Sequence, residues 1–293
     1  MSGYKTDCPQ CGGLNYYYTP HNEFGYCFSP ECGYHSRTEY KNYEPVRSEK
    51  REEIRQFYLK MTQYYHSCLT REMRQFLYQR GYTDQLIDQK LIGYCPPGKS
   101  HLYRDSIAKE AGIANTQGEG FLKDRIIFPY ICSYNPLTIT DLRGRRIKQE
   151  GIKYLSPYGG DYKRWSDYPY NCYLHKKSKL IITEAEIKAD IGLVHGYNIM
   201  GLPGMTQWKR GFIPLDNQEI IVCFDNQQQG YKNVVAAIKK LNTKLCDFKI
   251  ATLPLLGAEK AEIDTFIPKY GRVLFDSVIN AALPFNQWLA LQR

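Results

Sequence analysis

Cys8, Cys11, Cys27 and Cys32 follow the spacing C-x2-C-x15-C-x4-C. Two thiolate pairs at such spacing can close a tetrahedron around one Zn2+, and four sulfur ligands leave no open position for catalysis. The expected role is therefore structural. His35 is an alternative to Cys32 as the fourth ligand. A redox Cys-x-x-Cys would need a βαβ context that the neighbouring residues lack. Short β-forming stretches at 14–19 and 25–28 complete a ribbon hairpin. A module of about 40 residues buries too little apolar area to fold alone, so the metal would supply the missing stability.

A second kind of chemistry is carried by acids. Glu184 and Asp225 each stand directly after a short apolar run, residues 180–183 and 219–224. Two carboxylates at strand ends can hold Mg2+, a hard cation that shares its oxygen ligands with substrate phosphates. A single acid there would only cap the following helix; a pair at corresponding ends favours metal.

Cations alternating with aromatic rings form the third pattern. Arg125 precedes an apolar triplet, and Arg143, Arg145, Arg146 and Lys148 cluster further on. Lys153, Lys163 and Arg164 then interleave with Tyr154, Tyr158, Tyr162 and Trp165. Such a stretch suits phosphates and unpaired bases, although a plain charge run is commonly a solvated face.

These residues need elements to position them. Apolar positions Ile54, Phe57, Tyr58 and Met61 recur at helical spacing from residue 51, a second helix is expected over 71–79, ending at Gly81, and a third begins at Thr83-Asp84. Residues 121–131 and 138–142 read as strands around a turn at Asn135-Pro136, with the basic cluster after them. From Lys179 onward strands alternate with helices: strands at 180–183, 198–202, 219–224 and 248–253, helices at 187–194 and 230–241, and helices in the remainder. This alternation predicts a parallel sheet covered on both faces, with ligands gathering at the carboxyl ends of its strands. The expected fold class is α/β: ribbon 1–40, linker 41–50, a mixed α+β basic subdomain 51–175, and a Rossmann-like subdomain 176–293 with C-terminal helices.

Composition narrows the partners. Lys and Arg total 39 against 30 Asp and Glu in 293 residues, a net charge of +9 that favours a polyanion. The 26 tyrosines can stack on bases, though any single one is better read as core. No apolar run reaches the roughly 18 residues that span a bilayer, and the N-terminus carries no apolar signal segment. A cytoplasmic protein without membrane contact is expected, with Cys68, Cys95, Cys132, Cys172, Cys223 and Cys246 as reduced, buried thiols.

Taken in order, the motifs resemble a known family. Phe121-Leu-Lys-Asp-Arg125-Ile-Ile-Phe-Pro129, then Arg145, then Lys153-Tyr-Leu-Ser-Pro157, resembles the catalytic core of DnaG-type and bacteriophage-type DNA primases. Thr183-Glu184-Ala185-Glu186-Ile187 resembles the Toprim glutamate motif, and Phe224-Asp225-Asn226-Gln227, with Gly230 following, its aspartate motif. The four-cysteine ribbon is similar to those of bacterial and phage primases.

The resemblance implies RNA primer synthesis from NTPs on a single-stranded DNA template, with a Toprim subdomain in the last third of the chain. It implies that Glu184, Asp225 and Asp264 are catalytic, and that Glu184, Asp225, Gln227, Glu262 and Asp264 surround Mg2+ or Mn2+. Arg125, Arg145, Lys153, Lys163 and Arg164 would contact nucleotide or template. No G-x-x-x-x-G-K-[ST] loop occurs, so a replicative helicase at the fork is expected to be a separate chain.

Three positions depart from the family pattern: Ala185 where glycine is usual, Lys188 where an acid is usual, and Gln227 in place of a second aspartate. An inward Lys188 and a neutral Gln227 would each weaken a Mg2+ site. The alternative reading is a catalytically degenerate relative that binds single-stranded DNA or recruits a helicase. A Toprim nuclease or topoisomerase is a third, the latter needing a tyrosine-bearing domain for which there is no room.

Overall fold

The computed structural model describes residues 4–6, 16–19, 24–27, 35–36, 48–115, 117–134, 137–147, 152–157, 169–171, 179–204, 219–227, 235–236 and 248–291. The chain divides into two compact units, Met1–Ser48 and Glu49–Arg293.

The first unit is a four-stranded antiparallel sheet in the order β1 (Tyr4–Thr6), β2 (Tyr16–Thr19), β3 (Phe24–Cys27), β4 (His35–Ser36). Cys27 ends β3 opposite Tyr16, and His35 pairs with Tyr26. Cys8, Cys11 and Cys32 lie outside the described residues.

The second unit opens with α1 (Ser48–Ser67), α2 (Arg71–Tyr78) and α3 (Asp84–Gln89). Thr70 and Thr83 cap α2 and α3, their hydroxyls accepting from the backbone N–H of Met73 and Leu86. Next come β5 (Gly93–Cys95), a short 3-10 turn, α4 (Ser106–Glu110), β6 (Arg125–Tyr134), β7 (Leu137–Arg146) and β8 (Tyr154–Leu155); the four strands pair antiparallel in chain order.

Alternation along β6 serves two cores. Ile126, Phe128 and Tyr130 join the cluster that also holds α2, α3 and the last third of the chain. Ile127 and Ile131 pack instead with Ile54, Phe57 and Met61 of α1. A pleated strand sends successive side chains to opposite faces, so one hairpin glues two layers together.

The last third contains β9 (Leu180–Glu184), α5 (Glu186–Val194), β10 (Ile199–Leu202), β11 (Ile220–Val222), β12 (Asn226–Gln227), β13 (Lys249–Ile250), β14 (Lys260–Ala261), α6 (Ile263–Asn280), β15 (Leu283–Pro284) and α7 (Phe285–Ala290). One sheet runs β10-β9-β11-β13-β15. Ile181 and Ile221 face one core while Leu180, Ile182, Ile220 and Val222 face another that includes Trp288 of α7. Burial on both faces produces the unbroken apolar runs seen in the sequence.

Four expectations are corrected. The sheet is parallel only through β13; β15 adds an antiparallel edge, a two-residue strand too short to show a period. The remainder is accordingly not purely helical, and α6 ends at Asn280 before α7 begins. Residues 121–124 form a turn, not strand. Arg143, Arg145 and Arg146 lie within β7 rather than after the hairpin, because pairing with the well-buried β6 extends the strand past its apolar part. The helix expected over 230–241 falls largely outside the described residues, as do Cys132 (side chain only), Cys172 and Cys246. Cys95 and Cys223 are free and buried, and Cys68 is free and half-buried. Among the described residues no helix is long and apolar enough to cross a membrane.

Candidate functional site

Parallel strands in register bring their carboxyl ends to one edge. Glu184 closes β9 beside Leu202 of β10, and β11 runs alongside in register through Val222, leading to Asp225. The antiparallel pair β12–β14 sets Asn226 opposite Ala261, which delivers Lys260 and Glu262 to the same edge. Asp264 follows in the first turn of α6.

A cavity of about 290 Å³ opens there. Glu184, Asp225, Glu262 and Asp264 line it together with Arg80, Arg143, Arg145, Lys153, Lys188 and Lys260. Six cations against four carboxylates leave the described wall net positive, as an anionic ligand requires.

The carboxylates are not bare. Lys188 Nζ lies 2.6 Å from Asp225 Oδ1, 3.3 Å from Glu184 Oε1 and 3.6 Å from Glu262 Oε1. Lys260 Nζ sits 2.8 Å from Asp225 Oδ2 and 2.6 Å from Glu262 Oε1. Arg80 Nη1 donates to Asp264 Oδ2 at 2.9 Å. Burial alone would depress the Lys188 pKa, but Asp225, Glu184 and Glu262 raise it well above the ordinary lysine value. Burial opposes ionisation of Glu184 too, but Lys188, with a hydrogen bond accepted from the Asp225 carboxyl, reverses this and lowers its pKa. For Asp225, burial, aided by Glu184, outweighs Lys188 and the pKa is raised.

The opposite wall comes from β7 and β8. Arg143 Nη1 donates to the fully buried Glu186 at 3.0 Å, an oxygen that also accepts from Tyr130 at 2.6 Å. Arg143 is thus anchored. Arg145 stacks between aromatic rings, 5.1 Å from the centre of Phe76 and 5.7 Å from that of Tyr154. Its Nε and Nη1 are buried with no hydrogen-bond partner among the described residues. A buried guanidinium with free donors is an anion site in waiting.

Of the residues singled out in the sequence, the cavity gathers Glu184, Asp225, Gln227, Glu262, Asp264, Arg145 and Lys153. Gln227 is exposed at its rim. Arg125 does not line it: its guanidinium donates to the carbonyls of Lys123 and Ile152, tying the chain before β8 to the sheet. Lys163 and Arg164, with Lys148, Tyr158, Tyr162 and Trp165, lie outside the described residues. Sequence reasoning missed Arg80, Lys260 and the anchoring of Arg143. The only available signal was the i, i+2 spacing of Arg143 and Arg145, which puts both on one face of a strand.

Ala185 carries a cost. It has φ 65° and ψ 162°, a region essentially reserved for glycine, at roughly 1–3 kcal/mol for other residues. Its N–H bonds the Leu202 carbonyl at 2.8 Å, and a Cβ on Gly201 would sit 2.5 Å from its carbonyl oxygen, so the backbone has no room to relax. Relief of strain less the entropic penalty of glycine makes Ala185→Gly stabilising by about 1 kcal/mol, to be read from urea or thermal unfolding.

Among the described residues no three acids, histidines or cysteines gather closely enough to enclose a cation by themselves. The set does fit a cation that brings phosphate ligands with it, as Mg2+ commonly does. Asp264 Oδ1 is buried without a hydrogen-bond partner among the described residues, an acceptor left for such an ion.

No family model matches the chain. It is 24% identical over 237 residues, 72% of its length, to a DNA primase of Geobacillus stearothermophilus. It spans only 38% of that relative's length. A DnaG primase catalytic domain solved bound to single-stranded DNA superposes with a TM-score of 0.66 at 19% identity, covering 83% of each chain. The zinc-binding and RNA polymerase domains of the Aquifex aeolicus primase cover 97% of this chain and 79% of their own, with a TM-score of 0.63 at 16% identity. The fold is that of the DnaG-type primase catalytic core.

Proposed function

We propose that this chain is a DNA primase that joins NTPs into short RNA primers on single-stranded DNA. The observation that carries the reading is the cavity at the strand ends, where four carboxylates face a wall of cations on the primase-core fold. Its last third serves as the Toprim subdomain and residues 51–175 as the basic subdomain that tracks template and nucleotide. Glu184, Asp225, Glu262 and Asp264 form the acid cluster at which Mg2+ or Mn2+ would bind together with the nucleotide, with Gln227 offering a neutral oxygen from the rim. When bound, the cation offsets charge on the triphosphate and on the attacking oxygen.

The protein's own groups do the rest. Arg145 and Lys153 receive phosphate oxygens, and the Tyr154 ring against them helps keep the Arg145 guanidinium and the Lys153 ammonium in place. Arg125 supports this wall from behind, and Lys163 and Arg164 would contribute contacts to nucleotide or template. Glu184, held ionised, accepts the proton of the attacking hydroxyl. Cys8, Cys11, Cys27 and Cys32 would hold one structural Zn2+ in the N-terminal ribbon, a four-thiolate set that leaves no open position for catalysis. Such a protein works in the cytoplasm at a replication fork beside a separate helicase.

A second reading is supported by Lys188 and Gln227, which reduce the negative charge open to a metal: a relative that binds single-stranded DNA without synthesis. De novo synthesis on a pool of single-stranded DNA templates, with labelled NTPs and Mg2+ or Mn2+, separates the two. Short RNA products are expected. Retained DNA binding with no product under either metal would establish the second reading. In the active case Arg145→Ala raises the KM for NTPs about 10-fold or more, the worth of a charged hydrogen bond, measured at a temperature where thermal unfolding shows the variant to be folded.

A further inference from the structure

Lys188 stands where a cation belongs. It rises from the first turns of α5, one turn beyond Glu184, and its side chain is 9% exposed. Its ammonium has three N–H donors and three carboxylates within 3.6 Å: Asp225, Glu184 and Glu262. Asp225 is the central acid of the group, and a lysine faces each of its oxygens, at 2.6 Å and 2.8 Å. Two-metal chemistry needs ions about 3.5–4 Å apart, which calls for an acid free to reach both. Asp225 is not free. A divalent ion placed among Asp225, Glu184 and Glu262 would meet the Lys188 ammonium at contact distance. On the other side Asp264, fixed through Oδ2 by Arg80, keeps Oδ1 without a hydrogen-bond partner among the described residues.

We propose that Lys188 is a resident cation that takes the place of one divalent ion, so that this site works with a single exchangeable metal, entering with the nucleotide on the Asp264 side. The inference rests on the nucleotidyl-transfer reading above. It has a physical logic: Glu184 and Asp225 lie side by side and repel unless a positive charge lies between them. A covalently attached ammonium supplies that charge without metal, and keeps the cluster assembled before any nucleotide arrives.

The test counts metal ions without using catalysis. Mn2+ binding is followed by the electron paramagnetic resonance of the free ion, in the presence of a non-hydrolysable nucleoside triphosphate analogue. Wild-type protein is expected to bind one Mn2+ per chain, and Lys188→Glu two. In parallel, Lys188→Met is unfolded thermally in buffer without added divalent metal or chelator, so that ribbon zinc stays in place, and again with Mn2+. Its midpoint is expected to fall without Mn2+ and recover with it, while the wild-type midpoint is the same in both. Two Mn2+ ions in the wild type, or no metal-dependent recovery in Lys188→Met, would overturn the inference. Neither readout involves primer synthesis. A chain that makes no primers yet gives this pattern loses the functional reading and keeps the inference; one that makes primers while binding two ions does the reverse.

Discussion

Glu184→Gln is expected to cut primer synthesis by at least about 100-fold, the usual worth of a positioned acid–base group. The substitution keeps the side chain's shape at the end of β9 and removes only its charge. Lys188 retains Asp225 at 2.6 Å and Glu262 at 3.6 Å, so the acid cluster stays assembled. The stability loss should be that of one weakened hydrogen bond, about 1 kcal/mol. Primer yield under single-turnover conditions, thermal unfolding and single-stranded DNA affinity, measured on the same preparation, distinguish the chemistry from the scaffold. Wild-type yield from the variant would remove Glu184 from the reaction and shift the search to Glu262 and Asp264.

The second large effect concerns the scaffold. Asp190 of α5 is fully buried and accepts from the hydroxyls of Tyr82 at 2.9 Å and Tyr170 at 3.1 Å. Lys90, equally buried just after α3, lies 3.6 Å from Asp190 and donates to Asn171 at 2.6 Å. Burial raises the Asp190 pKa and lowers that of Lys90, each against the pull of the other. Asp190→Ala leaves a buried ammonium without its counter-charge, a loss of about 3–5 kcal/mol. That is a large share of the roughly 5–15 kcal/mol by which a domain is stable. Lys90→Met combined with Asp190→Leu should recover most of it, because removing both charges also removes the desolvation cost. Urea unfolding of the single and double variants checks this; an Asp190→Ala protein of wild-type stability would show that Lys90 does not need its partner. The pair joins α3 to α5 and so fixes the helix that carries Lys188.

How much of the site was legible depended on the range of the interaction. Glu184 and Asp225 were found because an acid after an unbroken apolar run is a local pattern. The basic wall was found in composition but misplaced in structure. Arg143 and Arg145 lie within β7, since strand length there is decided by pairing with β6. Lys188 of α5 was singled out as a departure from the family pattern, but not the direction of its side chain. Residues Glu186 to Gly192 are all buried, so no polar stripe marked which way Lys188 points. Arg80 reaches Asp264 across 184 positions of sequence, a separation at which no spacing rule operates.

Short-range preferences laid down the alternation of elements in the last third, the acids at the ends of its strands, the cysteine spacing of the N-terminal unit, and the motif order resembling a primase core. All of these were readable from the residues because steric and hydrophobic preferences act over a few positions at a time. Long-range packing settled that β15 closes the sheet antiparallel, that Arg125 braces the wall instead of lining it, and that Lys188 and Lys260 sit among the carboxylates. Those outcomes depend on charges brought together from distant segments into a space with little water, where each ionised group must find a partner or lose its charge.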